Sequence, residues 1–209
     1  MLFACFAALL IGYLFGSFPT GYLAGLLAGV DIRKQGSGNI GATNVLRVVG
    51  KKYGYAVFLA DVLKGFAAVN LTHVIATRIA ASAQHPIYFA TIAAVGCIVG
   101  HAFPVWLRFK GGKGVATSAG AMFGLMPVAA TIVLVIWILV FEVTRYVSVA
   151  SVIAAAGLPV AVAILIRAGL MHDPFLVYIT ALLALLVVWR HRSNFARLRA
   201  GTEQRFTRK

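Results

Sequence analysis

Several stretches of this chain lack any acidic or basic side chain for longer than a soluble core tolerates. Residues 2–30, 79–107, 114–141, 146–166 and 174–189 contain no Asp, Glu, Lys or Arg, and 53–77 is interrupted only by Asp61 and Lys64. About 20 apolar residues carry a helix across the hydrocarbon core of a bilayer, so six segments qualify, the last being short. None shows the alternation of a barrel strand, and in lipid a helix satisfies its own backbone. The composition agrees, with 61% hydrophobic and 11% charged residues leaving too little polar surface for a soluble domain of 209 residues. The expected fold is all-α: a single polytopic integral-membrane domain over 1–209. Residues 2–15 resemble a signal peptide, but no basic stretch precedes them and no small-residue cleavage site follows, so they read as a retained first span. Cys5 and Cys97 sit in apolar runs and read as buried thiols rather than a disulfide framework.

Charge refines this count. Lys and Arg total 19 against 5 Asp and Glu, a net charge of +14, and basic residues collect in cytoplasmic loops. Six simple spans with loop 31–52 inside would divide the basic residues outside the spans nine against nine, which is no bias. Breaking 114–141 at Gly124-Leu125-Met126-Pro127 moves the tail Arg190–Lys209 inside and makes the division sixteen against two. About seven membrane helices follow, with the N-terminus outside and the C-terminus inside. The two pieces of the broken run are then short, roughly 12–15 residues each, so at least one is expected to be a half-helix. Pro19 is expected to bend the first helix. Gly12/Gly16, Gly21/Gly25/Gly29 and Gly120/Gly124 have the spacing that lets helix backbones approach closely. No repeat, linker or low-complexity segment appears. Nucleic acid is not an expected partner, because no soluble basic domain remains once the spans are removed; an anionic substrate or membrane lipids suit the charge better.

Three basic segments carry the polar chemistry. The first runs from Asp31 to Arg47. Gly36, Gly38 and Gly41 formally match GxGxxG, but that fingerprint needs a βαβ unit and both flanks here are membrane helices. Its glycines still let backbone N–H groups converge on an anion, and Ser37, Asn39, Thr43 and Asn44 add neutral hydrogen-bonding groups. Asn44 and Arg47 share a face if a helix begins near Thr43; a polar turn with a capped helix is the plainer reading. The second is Arg108-Phe-Lys-Gly-Gly-Lys-Gly-Val-Ala-Thr117. It lacks the Lys-Ser/Thr ending of a nucleotide-binding P-loop, yet open glycine amides, a helix start and Lys113 make a phosphate cradle. The third, from Arg190 onward, places His191 with Asn194 and Asn194 with Arg197 on one helical face, and a basic tail of this kind ordinarily lies on anionic lipid. Glu203 among these arginines reads as half of an ion pair. Asp61 and Lys64, at i and i+3 within a span, read either as a mutual pair or as a Lys64 that faces substrate.

Taken together, these segments resemble the bacterial acyl-phosphate-dependent glycerol-3-phosphate acyltransferases. The resemblance rests on Gly36-Ser-Gly-Asn-Ile-Gly-Ala-Thr-Asn44 with Arg47, on Lys110-Gly-Gly-Lys-Gly-Val-Ala-Thr117, and on Arg190-His191, Asn194, Arg197 and Glu203. Leu59-Ala-Asp-Val-Leu-Lys-Gly65 and Gly100-His-Ala-Phe-Pro104 add to it. It implies a seven-helix inner-membrane enzyme that moves a fatty acyl group from acyl phosphate to glycerol 3-phosphate, giving lysophosphatidic acid and phosphate. It further implies that Ser37, Arg47, Lys113, Ser148, His191 and Asn194 form the catalytic set. Asn39, Gly41, Thr43, Asn44, Lys64, Gly111, Gly112, Gly114 and Thr117 would bind the substrate phosphates, while Glu203 and Asp61 would be structural. No cofactor is expected, and five scattered acids form no Mg²⁺ cluster. No His-x-x-x-x-Asp acid–base pair follows any histidine, so direct attack by the glycerol hydroxyl is the expected mechanism, with His191 as general base the alternative. The rival functions are a membrane transporter for an organic phosphate, which would hold its substrate near the midplane, and a non-catalytic lipid-binding scaffold, which would not need the glycine segments.

Overall fold

The computed structural model describes residues 1–79 and 86–206, so the start of the 79–107 run and the last basic residues of the tail, Arg208 and Lys209, lie outside the described residues. The described chain is helical and falls into two compact units, Met1–Leu125 and Met126–Lys209.

The first unit opens with α1 (Leu2–Ser17) and α2 (Thr20–Leu27). Pro19 breaks the span rather than merely bending it: Phe18, the residue before proline, is driven out of helical conformation to ψ 114°. A 3₁₀ turn (Ile32–Lys34) leads through the first polar segment to α3 (Ala42–Val48). The long α4 (Lys51–Ile79) and α5 (Pro86–Ala102) follow, then a second 3₁₀ turn (Val105–Leu107) and α6 (Val115–Leu125).

Glycines set the helix contacts. Gly12 and Gly16 on α1 lie against the backbone of Ala93 and Cys97 on α5, so that a Cβ at either would overlap a carbonyl; the equal offset means the two helices run parallel. Gly65 on α4 meets Thr117 and Gly120 on α6 meets Val62, an antiparallel register. Gly29 departs from the expected packing role: it adopts φ +73° with no atom near its missing side chain, ending α2 instead.

The second unit holds α7 (Pro127–Thr144), α8 (Val147–Arg167), α9 (Phe175–Arg190) and α10 (Arg192–Arg199). α7 packs on α8, and α8 on α9. The run 114–141 does break before Pro127, which occupies the first turn of α7, where its missing N–H is harmless. The halves are unequal, however. α6 has 11 residues and α7 has 18, because α7 continues through Glu142 to Thr144. At 1.5 Å per residue α6 reaches only about 16 Å, half of a ~30 Å hydrocarbon core. Among the described residues, five spans are long and apolar enough to cross a membrane, six if the α9–α10 pair, bent by 48°, is one of them; α6 is a further, shorter apolar helix. Leu59, Leu63 and Phe66 on α4 and Ile138, Leu139 and Val143 on α7 are exposed, as lipid-facing side chains are. Cys97 is buried, whereas Cys5, in the sparsely packed first turns of α1, is only half-buried.

Candidate functional site

The first polar segment is folded around Asn44. Its Oδ1 accepts the Ser37 N–H at 2.9 Å, and its Nδ2 donates to the carbonyls of Asn39 (2.9 Å), Gln35 (3.1 Å) and Ile32 (3.4 Å). Both ends of this amide, expected on a substrate phosphate, are thus engaged within the loop. Gly36 and Gly38 make the bend at φ +58° and +69°, values that strain any residue with a Cβ. Asn39 Oδ1 accepts the Gly41 N–H at 2.7 Å, and Gly41 starts α3, whose residues Thr43 and Arg47 stand half-buried and exposed respectively. Ser37 is exposed at the crest. Asp31 and Arg33 pair at 2.8 Å; hydrogen bonding to that guanidinium holds the Asp31 carboxyl down at about 2. Arg33 also lies 4.4 Å above the Tyr22 ring, so it braces the loop's entry.

The second segment closes the end of α5. Gly111 N–H donates to the Ala102 carbonyl (3.2 Å) and Gly112 N–H to that of His101 (3.0 Å), satisfying two acceptors that a helix end leaves open. These two amides, expected in the phosphate cradle, therefore serve the fold. Gly114, at φ +81°, feeds directly into α6, whose first N–H groups have no partner within the helix, and Lys113 precedes them, half-buried. Thr117 is fully buried in that first turn, its Oγ1 without a hydrogen bond among the described residues. Arg108 and Phe109 form the hairpin before the glycines at φ +52° and +61°, a left-handed conformation uncommon outside glycine.

The two segments share a footing. Ile32, Ile40 and Val45 from the first and Leu107 from the entry to the second belong to one buried apolar cluster with Ala24 and Val57. Beneath it, Lys64 Nζ pairs with Asp61 Oδ1 at 2.7 Å and donates to the Phe18 carbonyl at 3.1 Å. Thr20 Oγ1 donates to the same Asp61 oxygen at 2.6 Å, and His101 Nδ1 lies 3.5 Å from it. The mutual pair is what the structure forms at Lys64. His101 was not among the expected site residues; its stretch Gly100-His-Ala-Phe-Pro104, ending seven residues before Gly111, was read only as part of the family resemblance.

In the second unit, Glu203 gathers the remaining candidates. Ser148 Oγ donates to its Oε1 at 2.9 Å, Asn194 Nδ2 to the same oxygen at 2.7 Å, and Arg197 Nε to Oε2 at 2.7 Å. Burial disfavours the carboxylate, but these hydrogen bonds prevail and hold Glu203 below the usual range. His191, 2% exposed, has Nδ1 at 2.7 Å from the Val187 carbonyl. A carbonyl can only accept, so Nδ1 carries the proton, and in the neutral ring Nε2 keeps its lone pair. The tail is pinned by Phe206 N–H to the Arg145 carbonyl and by Arg205 over the Tyr146 ring. Among the described residues, no group of three His, Cys, Asp or Glu is placed to hold a metal ion.

Comparison with known proteins places these features in context. The family model described as glycerol-3-phosphate acyltransferase matches residues 6–201. A glycerol-3-phosphate acyltransferase of Geotalea daltonii is 43% identical over 201 residues, covering 96% of this chain and 97% of its own. One of Synechococcus elongatus is 43% identical over 207 residues, covering 98% and 96%. Among solved structures, PlsY (YgiH), an integral membrane glycerol 3-phosphate acyltransferase, in its glycerol 3-phosphate form is 37% identical with a TM-score of 0.83, covering 97% of this chain and 96% of that one. Its lysophosphatidic acid form gives a TM-score of 0.80 at the same identity, covering 97% of this chain and 95% of that one.

Proposed function

The chain belongs to the glycerol-3-phosphate acyltransferase family, and on that premise we propose that it acylates glycerol 3-phosphate with acyl phosphate as donor, the first acylation of phospholipid synthesis. It is an integral membrane protein; the proposed setting is the inner membrane of a bacterium, with the polar segments on the cytoplasmic side. The observation that carries the reading is the shared footing of the two glycine-bearing segments, with Lys113 at the start of α6, Ser37 exposed on the neighbouring loop and Arg47 exposed on α3. Two phosphate-bearing substrates need two anion sites near a membrane surface; the start of α6 with Lys113 suits one, and Ser37 with the Arg47 guanidinium suits the other. PlsY has been captured with glycerol 3-phosphate and with lysophosphatidic acid, which are the acceptor and product of the proposed reaction.

The donor is a mixed anhydride and already activated. In the proposed step the glycerol C1 hydroxyl oxygen bonds to the acyl carbon, the bond from that carbon to the bridging oxygen breaks, and phosphate leaves. A donor phosphate oxygen takes the hydroxyl proton, so the protein's task is orientation and charge stabilisation by Lys113, Arg47, Ser37 and the α6 amides. A transporter is disfavoured because the mid-span ionisable groups Asp61 and Lys64 are engaged with each other and Asp61 with His101 near the end of α5, while the candidate anion groups lie at helix ends. Purified protein given glycerol 3-phosphate with palmitoyl phosphate, or separately with palmitoyl-CoA, tests the proposal. Lysophosphatidic acid is expected from the first donor only; product from the thioester alone overturns the donor assignment, and product from neither overturns the reaction.

A further inference from the structure

We propose that His101, oriented by Asp61, is the positioning residue of the Gly111–Gly114 loop and so sets where Lys113 and the first amides of α6 meet a phosphate. The kinetic part of this inference rests on the proposed reaction; the structural part does not.

Asp61, 1% exposed, is reached from three elements through one oxygen: Thr20 at the start of α2, Lys64 on α4 and His101 near the end of α5. One edge of the His101 ring therefore faces a fixed carboxylate. The opposite edge forms the floor of the loop, since a Cβ built at Gly112 would overlap His101 Nε2. The same residue's carbonyl accepts the Gly112 N–H at 3.0 Å, so ring and main chain grip one glycine from two directions. A second tie runs through the same helix. Gly65, next to Lys64, packs against the Thr117 carbonyl in the first turn of α6. α4 thus anchors both ends of the segment that carries Lys113.

An apolar cluster of equal volume would hold α2, α4 and α5 together at no charge-burial cost. What the Thr20–Asp61–His101 arrangement adds is direction, because a carboxylate held by Thr20 and Lys64 at 3.5 Å from Nδ1 draws the imidazole into one rotation, which dispersion does not. Gly112 has no positive φ, so its backbone accepts alanine, and the three atoms nearest a side chain there all belong to the His101 ring.

The test compares His101→Ala, Thr20→Val, Gly112→Ala and the double variant His101→Ala/Gly112→Ala in nanodiscs. Hydrogen exchange is followed on peptides covering 110–117, and kcat and KM for glycerol 3-phosphate are measured separately. His101→Ala should raise exchange of the loop amides about tenfold while α1 and α8 stay unchanged. It should raise KM about 10- to 100-fold with a smaller fall in kcat, the signature of a misplaced binding group. Thr20→Val should do the same by a few-fold. Gly112→Ala should be damaging alone and less damaging in the double variant than the product of the single effects. Unchanged loop exchange in His101→Ala, or independent effects of His101 and Gly112, overturns the inference. Should His101→Ala not fold, Gly112→Ala with wild-type KM and exchange overturns it as well. If wild-type protein forms no lysophosphatidic acid, the reaction assignment fails and the exchange measurements still decide the loop.

Discussion

Asn44 and Lys113 sit in the two glycine-bearing segments and do different work. Asn44 has its amide committed to four main-chain groups, so it shapes the loop. Asn44→Ala is expected to lower both thermal stability and activity, because each unpaired main-chain group costs about 1–3 kcal/mol where buried. Lys113→Ala is expected to leave the melting temperature within a degree or two and to cut kcat/KM for glycerol 3-phosphate by about 10- to 100-fold, the worth of a charge-assisted bond to phosphate. Melting curves and steady-state kinetics of the pair check this separation. Glu203 gives a prediction with a sign. Its folded pKa lies below the ordinary glutamate value of about 4.3, so its contribution is complete above that value and fades as pH falls toward the folded pKa. Glu203→Gln should therefore be less stable than wild type near neutrality, and the difference should shrink as pH drops below about 4; melting temperatures across that range measure it. The residue types of all three segments were legible from sequence. Which N–H met which carbonyl was not, and so the amides of Gly111 and Gly112 looked available until the end of α5 was seen to use them.

At the scale of elements, two prolines and a set of glycines decide the layout. Pro127 ends one helix and starts the next, which charge counting had required. The unequal lengths of α6 and α7 were not legible, because Glu142 and Thr144 lie beyond the uncharged run and yet continue the helix. Likewise, proline chemistry predicted a disturbance at Pro19, but local sequence does not separate a bend from a break. Glycine spacing anticipated close helix contacts without saying which helices meet. On α6, Gly120 touches the Val62 carbonyl, so Gly120→Val should destabilise the first unit by at least about 1–3 kcal/mol through overpacking. A lower melting temperature in detergent, accompanied by loss of activity, is expected; a wild-type melting temperature would mean the α4–α6 contact is looser than described.

For the molecule as a whole, the lopsided charge of +14 is a statement about orientation as well as substrate. We propose the N-terminus outside and the C-terminus inside. A C-terminal tag should then be protected in intact cells and become accessible in inverted membranes, and the opposite pattern would reverse the assignment. The family and the all-helical membrane architecture were both legible in the chain, since motif order and uncharged runs are linear properties. The central claim, acyl rather than phosphoryl transfer from an acyl phosphate, is tested most directly by following an isotope. Purified protein is given glycerol 3-phosphate and palmitoyl phosphate carrying ¹⁸O at the bridging oxygen, and both products are weighed by mass spectrometry. The account predicts lysophosphatidic acid and phosphate in equal amounts, with the label wholly in the phosphate. Label retained in a fatty acid, or phosphate release without lysophosphatidic acid, would contradict it.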